Sequence, residues 1–151
     1  MTNQQDSSSY HANCMWVNET GVLILGDAAC GKTSLTLAMI VAGRATLVAD
    51  DQVIIKRMPK FLSARPPAAL QGMMQINGVG IVDFDHIEPV PLHLIIELVP
   101  STEVPAIPEK SEREIEGLKL PLLKLAAHET ATADKLWLVT ELFQRGKLFN
   151  S

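Results

Sequence analysis

The stretch Gly26-Asp27-Ala28-Ala29-Cys30-Gly31-Lys32-Thr33 fits G-x-x-x-x-G-K-[ST], the pattern of a phosphate-binding loop. The apolar segment Val22-Leu23-Ile24-Leu25 precedes it and reads as a strand; residues 34–42 follow, long enough for a helix of about three turns. Strand, glycine-rich loop and helix in this order aim backbone N–H groups and an open helix end at one point, which suits a phosphate. Gly26 and Gly31 allow backbone angles that a side chain opposes. Lys32 brings positive charge to the β- and γ-phosphates, and the Thr33 hydroxyl suits a Mg²⁺ ligand. All eight residues are therefore expected to bind nucleotide.

Beyond the helix, which is expected to end near Gly43, Ala45-Thr46-Leu47-Val48-Ala49 reads as a short strand stopping at Asp50-Asp51. Strand, loop, helix and strand predict a βαβ unit, parallel and right-handed. Asp50 and Asp51 then lie at the strand-end edge where α/β sheets bind ligands. One carboxylate there can help hold Mg²⁺ through water, and its neighbour can accept a proton from an attacking hydroxyl. Ahead of the loop, residues 12–17 and 22–25 form a predicted hairpin around Asn18-Glu19-Thr20-Gly21, which returns His11 to the loop end of the sheet. Cys30 fills a variable loop position, where oxidation or alkylation should block the nucleotide; Cys14 reads as a small core residue.

The rest of the chain reads mainly as β. Residues 52–57 and 61–64 flank a Met58-Pro59-Lys60 turn, and residues 70–76 and 81–84 flank Asn77-Gly78-Val79-Gly80. Residues 92–99 are the strongest buried-strand candidate, with His93 a satisfied core or edge histidine. Residues 101–108 form a proline-marked connector, and residues 112–116 and 118–125 a second hairpin around Gly117. A last helix is expected through Arg145, capped by Thr130 or Thr132, with Leu136, Val139, Leu142 and Phe143 on one face. Residues 1–10 read as a disordered polar leader and residues 11–147 as one domain.

Composition narrows the function. The 151 residues are 47% apolar and 20% charged, ordinary for a globular protein. A net charge of −4 argues against a nucleic-acid binder that works by neutralising phosphates, and gives no support to binding at an anionic membrane. The first ten residues lack a signal peptide's basic start and apolar run, and the apolar stretch at 92–99 is too short to span a bilayer. Two cysteines make no disulfide framework, so the chain reads as cytoplasmic. His86, His93 and His128 have no metal-ligand spacing with one another or with the cysteines.

Several blocks extend the phosphate loop into a longer likeness. They are His11 ahead of the loop, Leu47-Val48-Ala49-Asp50-Asp51-Gln52-Val53, Ala64-Arg65-Pro66-Pro67, Gln75-Ile76-Asn77-Gly78-Val79-Gly80-Ile81, Val104-Pro105-Ala106-Ile107-Pro108-Glu109 and Gly117-Leu118-Lys119-Leu120-Pro121. Together they resemble the catalytic domain of HPr kinase/phosphorylase in its short proteobacterial form, over residues 11–147. The resemblance implies an α/β fold: a P-loop-containing mixed β-sheet domain of the HPr kinase/phosphoenolpyruvate carboxykinase-like type, with a C-terminal helix. It implies a kinase using ATP and Mg²⁺ on a serine of the phosphocarrier HPr or a nitrogen-branch relative, regulating carbon metabolism through the phosphotransfer system. Family members also remove that phosphate by phosphorolysis. On the same pattern Asp51 resembles the proton acceptor, Asp50 a support for metal or base, and His11 and Lys32 catalytic positions. Thr33 matches a metal-ligand hydroxyl, and Gln75 stands at a metal-ligand position. Hexameric relatives make self-association plausible.

The sequence also departs from the family. The block that usually reads Glu-x-Arg-Gly-x-Gly has Gln75 and Asn77 in place of the glutamate and arginine, and Ala106 stands where the short form tends to be basic. Two readings follow: a kinase of this family, or a nucleotide-binding regulatory module that keeps the cradle and has lost most catalysis. An unrelated small-metabolite P-loop kinase would need an arginine-rich lid, and no arginine cluster is present.

Overall fold

Side chains that alternate between two buried clusters divide the chain into layers. In the computed structural model, which describes residues 7–27 and 30–150, β2 (Asn13–Val17) and β3 (Thr20–Leu25) pair antiparallel as the predicted hairpin. Cys14 and Leu23 face one core; Met15, Val22 and Ile24 face the other. Period-2 alternation with both faces apolar means that the sheet is covered on both sides.

This central sheet has six strands in the order β11 (Glu112–Ile115), β12 (Leu118–Ala126), β10 (Leu94–Val99), β3, β2 and β4 (Thr46–Ala49). β10 is parallel to both β3 and β12. Both β3 and β4 run antiparallel to β2, so β3 and β4 share a direction. The expected parallel relation holds, but β2 lies between the two strands. The hairpin strand takes the neighbouring slot, and the helix crossover clears it.

One face of this sheet packs on a second, four-stranded sheet: β1 (Ser7–His11), β5 (Gln52–Arg57), β6 (Leu62–Arg65) and β9 (Val90–Pro91), in that order. Leu23, Val48 and Ile95 meet Val53, Ile55, Leu62 and Val90 in that interior. The other face carries α1 (Lys32–Val41) and α2 (Thr132–Gln144), whose Leu35, Met39, Leu136 and Val139 pack on Ile24, Leu94 and Ile96. β7 (Met73–Ile76) and β8 (Gly80–Asp83) form a separate hairpin across Asn77-Gly78-Val79.

Both helices end as the sequence suggests. Gly43 adopts φ 73°, its N–H bonds the Ile40 carbonyl at 3.0 Å, and the Arg44 N–H bonds the Met39 carbonyl at 2.9 Å. That six-to-one and five-to-two pair needs a left-handed residue, which glycine supplies most easily. Gly146 repeats the arrangement after α2.

Three expectations are corrected. Residues 7–10, read as part of a disordered leader, belong to β1, which pairs with β5 from Ser7↔Lys56 to His11↔Gln52; residues 1–6 lie outside the described residues. Neither Thr130 nor Thr132 caps α2: Ala131 holds the cap position without a side-chain bond. The buried Thr132 hydroxyl instead donates to the Ala126 carbonyl at 2.7 Å, tying the helix start to the end of β12. His93 lies just before β10 rather than within it. It accepts the Gly21 N–H at Nδ1 (2.9 Å), and burial lowers its pKa.

Candidate functional site: a cavity at the junction of two sheets

The chain crosses between the two sheets twice at adjacent points. β1 leaves the four-stranded sheet at His11, and β2 enters the six-stranded sheet at Asn13. β4 leaves the six-stranded sheet at Ala49, and β5 enters the other at Gln52. The linkers, Ala12 and Asp50-Asp51, therefore lie side by side next to the loop that follows β3.

Asp51 occupies an unusual backbone state. Its φ is 70°, and the Gln52 N–H reaches back to the Asp50 carbonyl at 2.8 Å, a three-residue turn of the rare positive-φ kind. Such a conformation persists only where its surroundings hold it. Here His11-Ala12-Asn13 grips it at three points. The Ala12 N–H donates to the Asp51 carbonyl at 3.1 Å, and the Asp51 N–H donates to Asn13 Oδ1 at 3.1 Å. His11 Nε2 lies 2.7 Å from Asp51 Oδ1. Both side chains of that last pair are more than half exposed, so they face solvent.

Asp50 is 8% exposed, and its Oδ1 accepts from Asn13 Nδ2 (2.7 Å) and Thr33 Oγ1 (2.9 Å). Asn13 Nδ2 also lies 3.0 Å from Thr36 Oγ1, which itself donates to the Lys32 carbonyl. The amide of Asn13 thus joins the Asp50 carboxylate, the Asp51 backbone and the first turn of α1. Asn13 and Thr36 were not singled out from sequence. The available signal was an asparagine inside an apolar strand run: asparagine is depleted in strands, and a buried polar group must be hydrogen-bonded. Asn13→Ala should lower stability by about 1–3 kcal/mol, because partners left without a buried bond lose roughly that much. Urea unfolding of the variant against wild type measures it.

On the loop side, Lys32 is 6% exposed, and its ammonium donates to the carbonyls of Gly26 (2.9 Å) and Asp27 (3.1 Å). Cys30 Sγ lies 3.8 Å from the same nitrogen. Gly31, at φ 99°, precedes α1 in the left-handed region that favours glycine. Ala28 and Ala29 lie outside the described residues. On α1, Lys32, Leu35, Thr36 and Met39 form the buried stripe, so one helix face serves both site and core.

These groups surround one cavity of about 660 Å³. His11, Lys32, Thr33, Asp50, Asp51 and Gln75 all line it, so the predicted catalytic and metal residues come together. Asn77 lines it from the same β7–β8 hairpin, and His128 from beyond β12. His128 was also missed; a residue just past the end of a parallel strand is at the ligand edge, a signal that the absence of metal-ligand spacing did not replace. Ala106 is elsewhere: the connector at 104–108 lines a separate apolar cavity of about 500 Å³ with α2.

The match to known proteins agrees with this architecture. Residues 3–127 match the family described as HPr Serine kinase C-terminal domain. The chain belongs to that family. HPr kinase/phosphorylase of Burkholderia cenocepacia (strain HI2424) is 35% identical over 121 residues, covering 74% of this chain and 37% of the relative. The enzyme of the same name from Paraburkholderia phymatum gives the same figures. The chain therefore spans little more than a third of the length of these relatives. The structure of the Hpr(Ser) kinase/phosphatase from Coxiella burnetii superposes with a TM-score of 0.77 at 28% identity, covering 92% of this chain and 89% of that one. The α/β fold with mixed sheets and a C-terminal helix is thus the HPr kinase fold. Among the described residues, no helix is long and apolar enough to cross a membrane.

Proposed function

We propose that this HPr kinase-family chain binds Mg·ATP at residues 26–33 and transfers the γ-phosphoryl group to a serine of an HPr-like phosphocarrier. The observation that carries the reading is the His11–Asp51 pair, 2.7 Å apart, lining the same cavity as Lys32 and Thr33. The donor set fits the cofactor: the Thr33 hydroxyl, the Asp50 carboxylate and the Gln75 amide oxygen are hard oxygen groups that would hold Mg²⁺, the kind it takes. Bound Mg²⁺ supplies charge neutralisation at the phosphates.

Lys32 leaves the loop carbonyls to bond the β- and γ-phosphates, exchanging neutral acceptors for anionic ones. Asp51 takes the proton from the serine hydroxyl as the serine oxygen bonds the γ-phosphorus. The bond from γ-phosphorus to the bridging oxygen breaks, and ADP leaves. His11 donates to Asp51 Oδ1 and sets which lone pair faces the serine. Asn13 holds Asp50 and the backbone of Asp51 in register with α1. In phosphorolysis inorganic phosphate bonds the phosphoserine phosphorus, the bond to the serine oxygen breaks as Asp51 gives that oxygen a proton, and pyrophosphate leaves.

Incubation with γ-labelled ATP, Mg²⁺ and the phosphocarriers of the same cell, followed by mass spectrometry, tests this reading. Label on a carrier serine is the expected result. Lys32→Ala should weaken ATP binding about 10- to 100-fold, the loss of one charge-assisted bond set, with unchanged circular dichroism. Calorimetry showing no ATP binding by the wild type would remove the proposal. The second reading, a regulatory module that binds nucleotide without turnover, is favoured by Gln75 and Asn77, neutral residues lining the cavity where the family carries a carboxylate and a guanidinium.

A further inference from the structure

The phosphate-loop cavity does not end at the loop. A second cleft of about 250 Å³ opens beside it and shares Gly31, Ser34 and His128 with the first. It runs over the ends of β10 and β12 toward the start of α2, on the side of the sheet away from β4. Small or apolar groups line it, Leu35, Ala38 and Ala133 among them, with Glu129 also in its wall.

His128 stands where the two spaces meet. It has φ 63°, uncommon outside glycine, and lies two residues past the end of β12. Its ring atoms Cε1 and Nδ1 lie 3.2 and 3.3 Å from where a Cβ on Gly31 would be. Gly31 therefore leaves room for an imidazole against the loop, besides supplying its own left-handed angle. His128 is exposed, which leaves it open to a ligand.

A triphosphate held by the loop has two ends. Its γ end must face Asp50 and Asp51, beside β4, if the serine is to be phosphorylated there. The nucleoside must then leave on the β10–β12 side. We propose that the 250 Å³ cleft takes the purine base of the bound nucleotide, with His128 stacked against it at the seam. The assignment rests on the proposed ATP site. Whole-ligand pockets are typically about 300–1,000 Å³, so a cleft just below that range suits a base while the larger cavity takes the phosphates. Aromatic stacking tolerates any base, and the Glu129 carboxylate can accept from an exocyclic amino group.

Calorimetry with two ligands, Mg·ATP and Mg·tripolyphosphate, separates the base from the phosphates. Three variants suffice: His128→Ala, His128→Phe and Ala38→Phe. Ala38 is exposed on α1, so a phenylalanine there fills the cleft without entering the core. His128→Ala and Ala38→Phe should each weaken ATP by roughly 5- to 100-fold, the range that base stacking spans, and leave tripolyphosphate within about twofold. His128→Phe should retain ATP. Unchanged ATP affinity in His128→Ala and Ala38→Phe, with tripolyphosphate still bound, overturns the cleft assignment alone. Equal loss of both ligands in His128→Ala also overturns it, because the ring would then support the loop rather than the base. A wild type that binds neither ligand defeats the phosphate-loop reading, and the cleft assignment with it.

Discussion

Asp51→Asn is expected to lose about 10²–10⁴-fold in phosphoryl transfer, the usual contribution of a general base, while keeping its affinity for Mg·ATP. The amide matches the carboxylate in size and cannot accept the serine proton. Asparagine also tolerates the φ of 70° at this position, so the turn at Asp50–Gln52 should survive. Its N–H and carbonyl would still meet Asn13 and Ala12. The side chain is more than half exposed, so its replacement costs the core nothing. The measurement pairs turnover on a carrier serine with calorimetric ATP binding. Full activity in the variant would show the base to be elsewhere, and Asp50 would be tested next. Asp50→Asn has a different expected signature. Asp50 is buried and accepts from Asn13 and Thr33, so its replacement should disturb metal dependence and stability together.

Local chemistry made much of this site legible. The G-x-x-x-x-G-K-T stretch is contiguous, and its glycines, lysine and threonine each have a reason at a fixed spacing. The hairpin ahead of it and the glycine stop of α1 were equally readable, because turn and cap chemistry act over a few residues. β1 was not. Ser7-Ser8-Ser9 has no apolar alternation, and the strand forms through backbone pairing along β5, a partner more than forty residues away. The place of β2 between β3 and β4 was hidden for a similar reason. A hairpin and a crossover each read correctly alone, and only packing decides which strand takes the shared slot. Asn13 shows the same limit at the level of one side chain. Its importance lies in joining Asp50, Asp51 and Thr36, which meet only when two sheet crossings lie side by side.

Gln75→Glu combined with Asn77→Arg is expected to raise phosphoryl transfer to an HPr-like serine, on the order of 10²–10³-fold over the wild-type rate. That is below the roughly 10³–10⁵ that a single well-placed arginine supplies in related chemistry. Both positions are exposed on the β7–β8 hairpin and line the same cavity as Thr33, Asp50 and Asp51, so neither change disturbs packing. Gln75 offers a neutral carbonyl oxygen where a carboxylate would bind Mg²⁺ and offset its charge. Mg²⁺ sheds water reluctantly and favours anionic oxygen, so the wild type should hold nucleotide with a weak metal dependence. Among the described residues, no group of three or more His, Cys, Asp or Glu side chains is gathered tightly enough to hold a metal by itself. A glutamate at 75 adds the missing charge, and an arginine at 77 adds a donor for the charge that develops on the transferring phosphoryl group. Each 1.4 kcal/mol recovered in the transition state is about tenfold in rate, so Gln75→Glu alone should already be measurable. Turnover that rises in the single variant and again in the double identifies a weakened kinase on an intact framework. Tight Mg·ATP binding by both variants, with no transfer to any carrier, would instead identify a nucleotide-binding regulatory module.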